Sequence, residues 1–266
     1  MRTGPAAWGR ELYERVLDAL GTVAGGSLLD VGCGAGQLCR LAADRFIPVS
    51  GVDADPAALS RAAQFVPEAS FSLASLPDLP QPDGAMAAVT CVQVLMQLAN
   101  PLAALRELAR VAAPGAPVAV TVWGPPELCA VGAFGRALEP LLGGPPPGAR
   151  SAGSPGPPGS PGRAGSPGRA ESPGPPALSA EGRLAKLVGL AGLEVDVVED
   201  VRCAFDLVDE RALLAALYGA ELGRRAVEVA GRAPVRKAVL AGLAPYRTTD
   251  GGYRLENTFR LVVGVA

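Results

Sequence analysis

The chain has 266 residues, of which 49% are hydrophobic and 19% charged, and its formal net charge is −2. This length suits one or two domains, of which a single α/β domain is the simpler expectation, and the composition is sufficient for a large core. The charge balance lacks the strongly basic character of a dedicated nucleic-acid-binding protein. We therefore expect no nucleic-acid partner.

Histidine is absent from the chain, and the five cysteines include no CxxC pair. Without histidine, Ser-His-Asp and Cys-His catalysis and histidine-ligated metals are excluded. An odd number of cysteines favours reduced, mostly buried thiols over a disulfide framework or a zinc site. We therefore expect no metal.

Membrane association is not predicted. No stretch reaches the ~18 apolar residues of a membrane span, and residues 1–17 lack the apolar region of a signal peptide. A cytoplasmic location is the expectation.

Strands and helices are predicted to alternate in chain order. After a helix at 6–20, strands are predicted at 27–31, 49–52, 70–73, 87–92 and 118–122, with helices at 37–45, about 53–64 and 101–112 between them. This alternation indicates right-handed βαβ units and a parallel sheet. A helix near 180–191, a strand at 194–198, a helical stretch over about 209–245 and a last strand at 258–266 follow.

Residues 144–177 differ in composition, being almost entirely Gly, Pro, Ser, Ala and Arg, with glycine at every third residue from Gly153 to Gly168. One interpretation is a collagen-like triple helix that trimerises the protein. The other, which we favour, is a disordered low-complexity insertion, because such a composition cannot bury a core and a longer loop costs little closure entropy. We predict one domain over 1–266, interrupted by this disordered insertion.

The stretch LLDVGCGAGQL, residues 28–38, places three glycines between a predicted strand and a predicted helix. Such a turn leaves main-chain N–H groups bare and lets a ligand approach the backbone. The G-x-G-x-x-G pattern of dinucleotide sites requires a third glycine where this chain has Gln37. Asp30, two residues before the loop, would repel a pyrophosphate and attract a cation. The loop therefore suits a positively charged nucleoside without phosphates.

These residues resemble a family. DVGCGAG resembles the first motif of the class I S-adenosylmethionine-dependent methyltransferases, and GVDADP, 51–56, resembles their second-strand motif. Residues 79–101, 105–124 and 251–266 resemble the later strands and the terminal strand of the small-molecule methyltransferases. The resemblance implies an α/β fold, Rossmann-like and doubly wound, with a mostly parallel seven-stranded sheet and an antiparallel last strand. It also implies S-adenosyl-L-methionine as methyl donor, and direct methyl transfer to a small organic acceptor without a metal.

The resemblance implies a cofactor site in which Asp53 holds both ribose hydroxyls, and in which the Ser75 hydroxyl and the Leu76 backbone hold adenine. Asp53 can instead, or in addition, be the N-cap of the next helix. Acceptor groups are implied on the N-terminal helix and within about 206–250, and no catalytic residue is assigned. The predicted cofactor-binding residues are Asp30, Gly32, Cys33, Gly34, Gly36, Asp53, Ala54, Ser75, Leu76 and Cys91.

Three departures from the family pattern leave alternatives open. Ser75 stands where an acidic residue is usual, Met86-Ala87 replaces Phe-Asp, and Gln97 replaces a frequent histidine. A catalytically silent nucleoside-binding module, or a methyltransferase that acts on a protein, are therefore alternatives to a small-molecule enzyme. The oligomeric state is not predicted.

Overall fold

A computed structural model of the chain describes residues 9–23, 26–143 and 178–266. Seven strands form one sheet in the order β3-β2-β1-β4-β5-β7-β6. The strands are β1 Leu28–Val31, β2 Val49–Asp53, β3 Ser70–Leu73, β4 Ala88–Val92, β5 Pro117–Trp123, β6 Glu194–Leu207 and β7 Tyr253–Val265. The predicted insertion at 144–177 lies outside the described residues.

The first five strands pair in parallel, and β7 runs antiparallel between β5 and β6. In register, Asp30 of β1 lies beside Gly51 of β2 and Thr90 of β4. The predicted fold class, a mostly parallel seven-stranded sheet with an antiparallel last strand, is confirmed.

Helices cover both faces of the sheet, as in doubly wound folds. They are α1 Arg10–Ala19, α2 Gln37–Asp44, α3 Pro56–Phe65, α4 Pro101–Val111, α5 Gly132–Leu138, α6 Arg183–Leu190, α7 Glu210–Gly219, α8 Glu221–Ala230 and α9 Arg232–Gly242. In one core cluster, α1, α2, α5 and α7–α9 pack against one face of the sheet. In another, α4 and α6 pack against the opposite face. None of the helices within the described ranges is long and apolar enough to cross a membrane.

Local sequence explains the central elements. The strand residues LLDV and the first four residues of AVTCV are buried, as in parallel strands covered on both faces. Helix α4 begins where the Asn100 side chain accepts a hydrogen bond from Ala103 N, and Pro101 occupies its first turn. Its residues Leu105 and Leu108 then face the core.

Strand β6 is much longer than the five residues predicted at 194–198. The acidic pair Glu199-Asp200 interrupts the apolar pattern there, but both side chains are paired in the fold. Arg15 of α1 forms an ion pair with Glu199, and Arg260 of β7, itself only 8% exposed, forms one with Asp200 at 2.8 Å. Pairing with β7 therefore continues to Leu207.

Two other predictions need correction. The helical stretch at 209–245 is three helices, which break at Ala220 and at Gly231, where φ is 81°. Helix α5, after β5, was not predicted. The last strand begins at Tyr253 rather than at Thr258, because β6 and β7 pair along their whole length.

Candidate functional site

The glycine loop follows β1 at the carboxyl edge of the parallel sheet. From β1 the chain builds β2 and β3 on one side and then crosses to β4 on the other. The loop therefore lies at the topological switch point, where open α/β sheets bind their ligands.

The loop is closed by hydrogen bonds within the protein. Gly32 N and Cys33 N both donate to Val52 O, at 2.7 and 3.0 Å, and Gly36 N donates to Cys33 O at 3.0 Å. The expectation that the turn leaves its N–H groups bare is wrong for these three groups, because β2 and the turn itself provide their acceptors.

The glycines are required by conformation and contact. Gly32, Gly34 and Gly36 have φ of 75°, 54° and 82°, in the left-handed region that favours glycine. A Cβ on Gly32 would lie 2.2 Å from Val94 Cγ2, and one on Gly36 would lie 3.2 Å from Ala62 Cβ. A Cβ on Gly34 would meet nothing within 4 Å. Gly34 is therefore the position where the loop surface is open.

Asp53 ends β2 and links it to the loop. Its Oδ2 accepts a hydrogen bond from Gly34 N at 2.8 Å, and its Oδ1 accepts one from Asp55 N at 2.9 Å. The N-cap of α3 is Asp55, which accepts from Ala57 N, so the N-cap alternative for Asp53 is wrong. Because an ionised carboxylate has about four acceptor positions, Asp53 can accept further hydrogen bonds.

Asp30 is buried, with only 3% of its surface exposed. Thr90 Oγ1 donates to its Oδ1 at 2.8 Å, and the Cys39 thiol lies 3.7 Å from its Oδ2. Burial raises the pKa of Asp30 to about 6, and the charge of Asp53 acts in the same direction. Asp30 therefore acts on the site through its charge.

The other predicted residues divide into two groups. Ala74 N donates to Asp53 O at 3.2 Å, which brings the exposed Ser75 and the half-buried Leu76 next to the end of β2, where Ala54 is also exposed. By contrast, two cysteines belong to the interior. Cys33 is buried, and its sulfur packs against Gly51 of β2, where an added Cβ would lie only 2.8 Å from it. Cys91 is wholly buried in the core. The side chain of Cys91 is not brought to the loop surface.

Helix α1 approaches the same site. Burial, and secondarily the charge of Asp30, raises the pKa of Tyr13 to about 12. Its ring also packs against the core and over Gly9, where a Cβ would lie 2.7 Å from the ring. Tyr13 is thus a packing residue close to Asp30.

Sequence reasoning missed Gln93, the first residue after β4. Its φ is 63°, its main-chain N donates to Thr121 O at 3.2 Å, and its Nε2 donates to Thr121 Oγ1 at 3.1 Å. Its Oε1 is buried without a hydrogen-bond partner. Gln97, which replaces the frequent histidine, donates from Nε2 to Gln93 O at 3.0 Å. The sequence feature that could have identified Gln93 is its position as a polar residue directly after a central strand.

No group of three or more Cys, Asp or Glu side chains in the described part of the chain is placed to hold a metal ion. The expectation that no metal is needed stays a prediction. The loop, by contrast, fits the nucleoside methyl donor that the family uses: its surface is open at Gly34, and the Asp53 carboxylate beside it has acceptor capacity left.

Comparison with known proteins agrees with this geometry. Residues 29–120 match the family model described as a methyltransferase domain. Malonyl-[acyl-carrier protein] O-methyltransferase of Serratia marcescens is 34% identical over 110 residues, which are 41% of this chain and 43% of that relative. Ubiquinone biosynthesis O-methyltransferase of Alkalilimnicola ehrlichii is 33% identical over 105 residues, 38% and 42% of the two chains. The chain spans about two fifths of the length of these curated relatives.

The solved structure of the YcgJ protein from Bacillus subtilis shares the fold. Its TM-score is 0.57 at 16% identity, over 96% of this chain and 97% of that one. The domain match identifies residues 29–120 as a methyltransferase domain, and the sheet order and the glycine loop agree with the class I S-adenosylmethionine-dependent methyltransferases that the sequence resembles.

Proposed function

We propose that the protein binds S-adenosyl-L-methionine at the glycine loop and transfers its methyl group to a small organic acceptor. The observation that carries this proposal is the pair of carboxylates at the loop. Neither Asp30 nor Asp53 has an ion-pair partner among the residues described. Two acidic side chains without a cation beside an open main-chain turn favour a positively charged ligand and disfavour a pyrophosphate.

The loop residues have distinct roles in this proposal. Asp53 holds the two ribose hydroxyls with the acceptor positions that Gly34 N and Asp55 N leave free. Gly34 provides the open surface against which the ligand packs. The exposed Ser75 hydroxyl and the Leu76 main chain, adjacent to Asp53, hold the adenine.

Bound S-adenosylmethionine supplies an electrophilic methyl group on a good leaving group. The chain's contribution is then alignment of donor and acceptor, which in favourable systems lowers a barrier by roughly 7–11 kcal/mol. A reaction of this kind needs no histidine. A weakly acidic alcohol would need a general base, whereas a phenol or carboxylate needs less assistance.

The printed names of both curated relatives support O-methyl transfer. The name of the ubiquinone biosynthesis enzyme supports a small acceptor, whereas the other names a malonyl group on an acyl-carrier protein. The net charge of −2 gives no support for a nucleic-acid acceptor. We place the activity in the cytoplasm, because all five cysteines are free, as reducing compartments keep them.

Calorimetry with S-adenosylhomocysteine and with NADH tests the first part of the proposal. We expect binding of the former and none of the latter; tight NADH binding would contradict the assignment. Incubating the protein with a metabolite extract and methyl-labelled donor tests the second part. Labelled product below about 1 kDa supports a small acceptor, label on polypeptide supports a protein acceptor, and nucleoside binding without any labelled product supports a silent module.

A further inference from the structure

A cavity of ≈1090 Å³ opens at the same edge of the sheet as the glycine loop. It lies where β5 ends, where β6 approaches its end, and where β7 begins, and its walls include 126–130, 202–204, 245–248, 254 and 256–258. Its volume is slightly above the ~300–1,000 Å³ typical of small-molecule sites. The cavity is therefore large enough for an organic acceptor.

Three arginines from three different elements line this cavity: Arg136 of α5, Arg202 of β6 and Arg247 of the turn before β7. No side-chain hydrogen bond or ion pair is formed by any of them with another described residue. Arg254, a fourth arginine of the wall, is different, since its Nη1 binds Asp206 at 3.0 Å.

The acidic side chains of the wall do not neutralise the three free arginines. Glu11 Oε2 accepts a hydrogen bond from Ala204 N at 3.4 Å, and Glu256 lies 3.7 Å from the already paired Arg254. Glu127 alone is an acid of the cavity wall without a described ion pair or hydrogen bond. The unpaired charge of the cavity is therefore positive.

One side of the cavity is near the glycine loop. Strand β5 is two strands away from β1, about 10 Å at the usual spacing between strands, and β6, which carries Arg202, is four strands away, about 19 Å. Helix α1 reaches both regions, because Glu11 lines the cavity while the charge of Asp30 acts on Tyr13. An acceptor in the cavity can thus extend one end toward a methyl donor held at the loop.

We propose that the acceptor carries an oxyanion, a carboxylate or a phosphate, which is bound by Arg136, Arg202 and Arg247. This inference rests on the proposed function, because it assigns the acceptor of that same reaction. The guanidinium group offers a planar pair of N–H donors that matches both kinds of oxyanion. The anion occupies the cavity, and the nucleophile lies at the opposite end of the molecule, toward the loop.

Calorimetry at low ionic strength, with the full chain saturated with S-adenosylhomocysteine, tests this inference. The probes are isophthalate, its uncharged diamide and inorganic pyrophosphate. The test variant replaces Arg136, Arg202 and Arg247 by Gln. The matched control replaces Arg106, Arg183 and Arg225 by Gln, three exposed arginines outside the cavity that likewise form no ion pair with described residues.

We expect at least one of the two anions to bind, and the diamide not to bind. The test variant should weaken anion binding by at least about tenfold, because guanidinium hydrogen bonds to oxyanions are lost, while the control stays within about twofold. Isophthalate alone would identify a carboxylate, and pyrophosphate alone a phosphate. Equal anion binding by both variants, equal binding of the diamide, or no anion binding overturns the inference. Failure of S-adenosylhomocysteine to bind would instead contradict the proposed function.

Discussion

The Asp53 carboxylate and the Gly34 main-chain amide are joined by a hydrogen bond of 2.8 Å, which ties the glycine loop to the end of the neighbouring strand. The same carboxylate is the group to which we assign the ribose. One side chain therefore both shapes the loop and recognises the ligand that the loop holds.

Replacing Asp53 by Ala is expected to weaken S-adenosylhomocysteine binding by one to two orders of magnitude, because hydrogen bonds to a charged group are worth about 1.5–3 kcal/mol each. Calorimetry measures the change. Asp55→Ala is the matched control: it removes the N-cap of α3 and costs about 1 kcal/mol of stability, with affinity unchanged. Equal affinities of wild type and Asp53→Ala would contradict the role of Asp53.

Substitution by Ala should lower stability to different extents at two glycines of the loop. Gly32→Ala places a Cβ 2.2 Å from Val94 Cγ2 at a φ of 75°, so we expect it to lower the free energy of unfolding by about 2–5 kcal/mol. Gly34→Ala meets no neighbouring atom, so it should cost only about 1–2 kcal/mol of conformational strain and mainly reduce nucleoside affinity.

Urea unfolding and calorimetry on both variants separate these effects. Adding Val94→Ala to the Gly32→Ala variant should restore part of its stability, because it removes the clashing methyl groups. Similar stability losses at the two glycines would contradict the open space at Gly34, and an unchanged nucleoside affinity of Gly34→Ala would contradict its role in ligand binding.

Asp30→Asn is expected to stabilise the protein at neutral pH. The folded-state pKa of Asp30, about 6, lies above its ordinary value of 3.8, so ionisation opposes folding. The penalty is absent below about pH 4, grows as pH rises toward 6, and reaches about 3 kcal/mol above that. The asparagine oxygen can still accept the hydrogen bond from Thr90. The free energies of unfolding of the wild type and the variant, measured from pH 4 to pH 8, should move further apart as the pH rises. A difference that stays constant with pH would contradict the raised pKa of the buried carboxylate.

Gln93 provides a test of backbone strain at the end of β4. Because its φ is 63°, Gln93→Gly should be more stable than Gln93→Ala by about 1–2 kcal/mol. Both variants lose the same side-chain hydrogen bond to Thr121, so their difference reports the backbone alone. At Ser60, in the middle of α3, the order should reverse, with Ala better than Gly by about 1 kcal/mol. If Ala were more stable than Gly at position 93 as well, Gln93 would be shown to be unstrained.

The insertion at 144–177, which lies outside the described residues, is proposed to be disordered within one domain. Scrambling the order of residues 146–175 at constant length and composition should then leave the melting temperature and the affinity for S-adenosylhomocysteine unchanged, because a disordered segment of this composition buries no core. Light scattering measures the oligomeric state of both proteins. A trimer in the native chain that the scrambled chain loses would support the collagen-like interpretation.

The strand–loop–helix units, the glycine pattern and the acidic residue that ends β2 could all be predicted from the amino-acid sequence. These are local signals: alternation of buried strands with helices, glycines at positions of positive φ, and Pro56 in the first turn of α3 all depend on near neighbours along the chain. The parallel sheet followed from them, whereas the seven-stranded fold class and the ribose-binding hypothesis for Asp53 came from the resemblance to the methyltransferase family.

Long-range contacts set how those units are used. Gly32 N and Cys33 N bond to β2, Asp30 is buried beside Thr90, and β6 pairs with β7 as far as Leu207, with Arg15 and Arg260 pairing with its acidic residues. The cavity of free arginines joins elements more than a hundred residues apart. Such contacts depend on which distant groups the packed sheet and helices bring together, and local residue patterns carry no information about that distance.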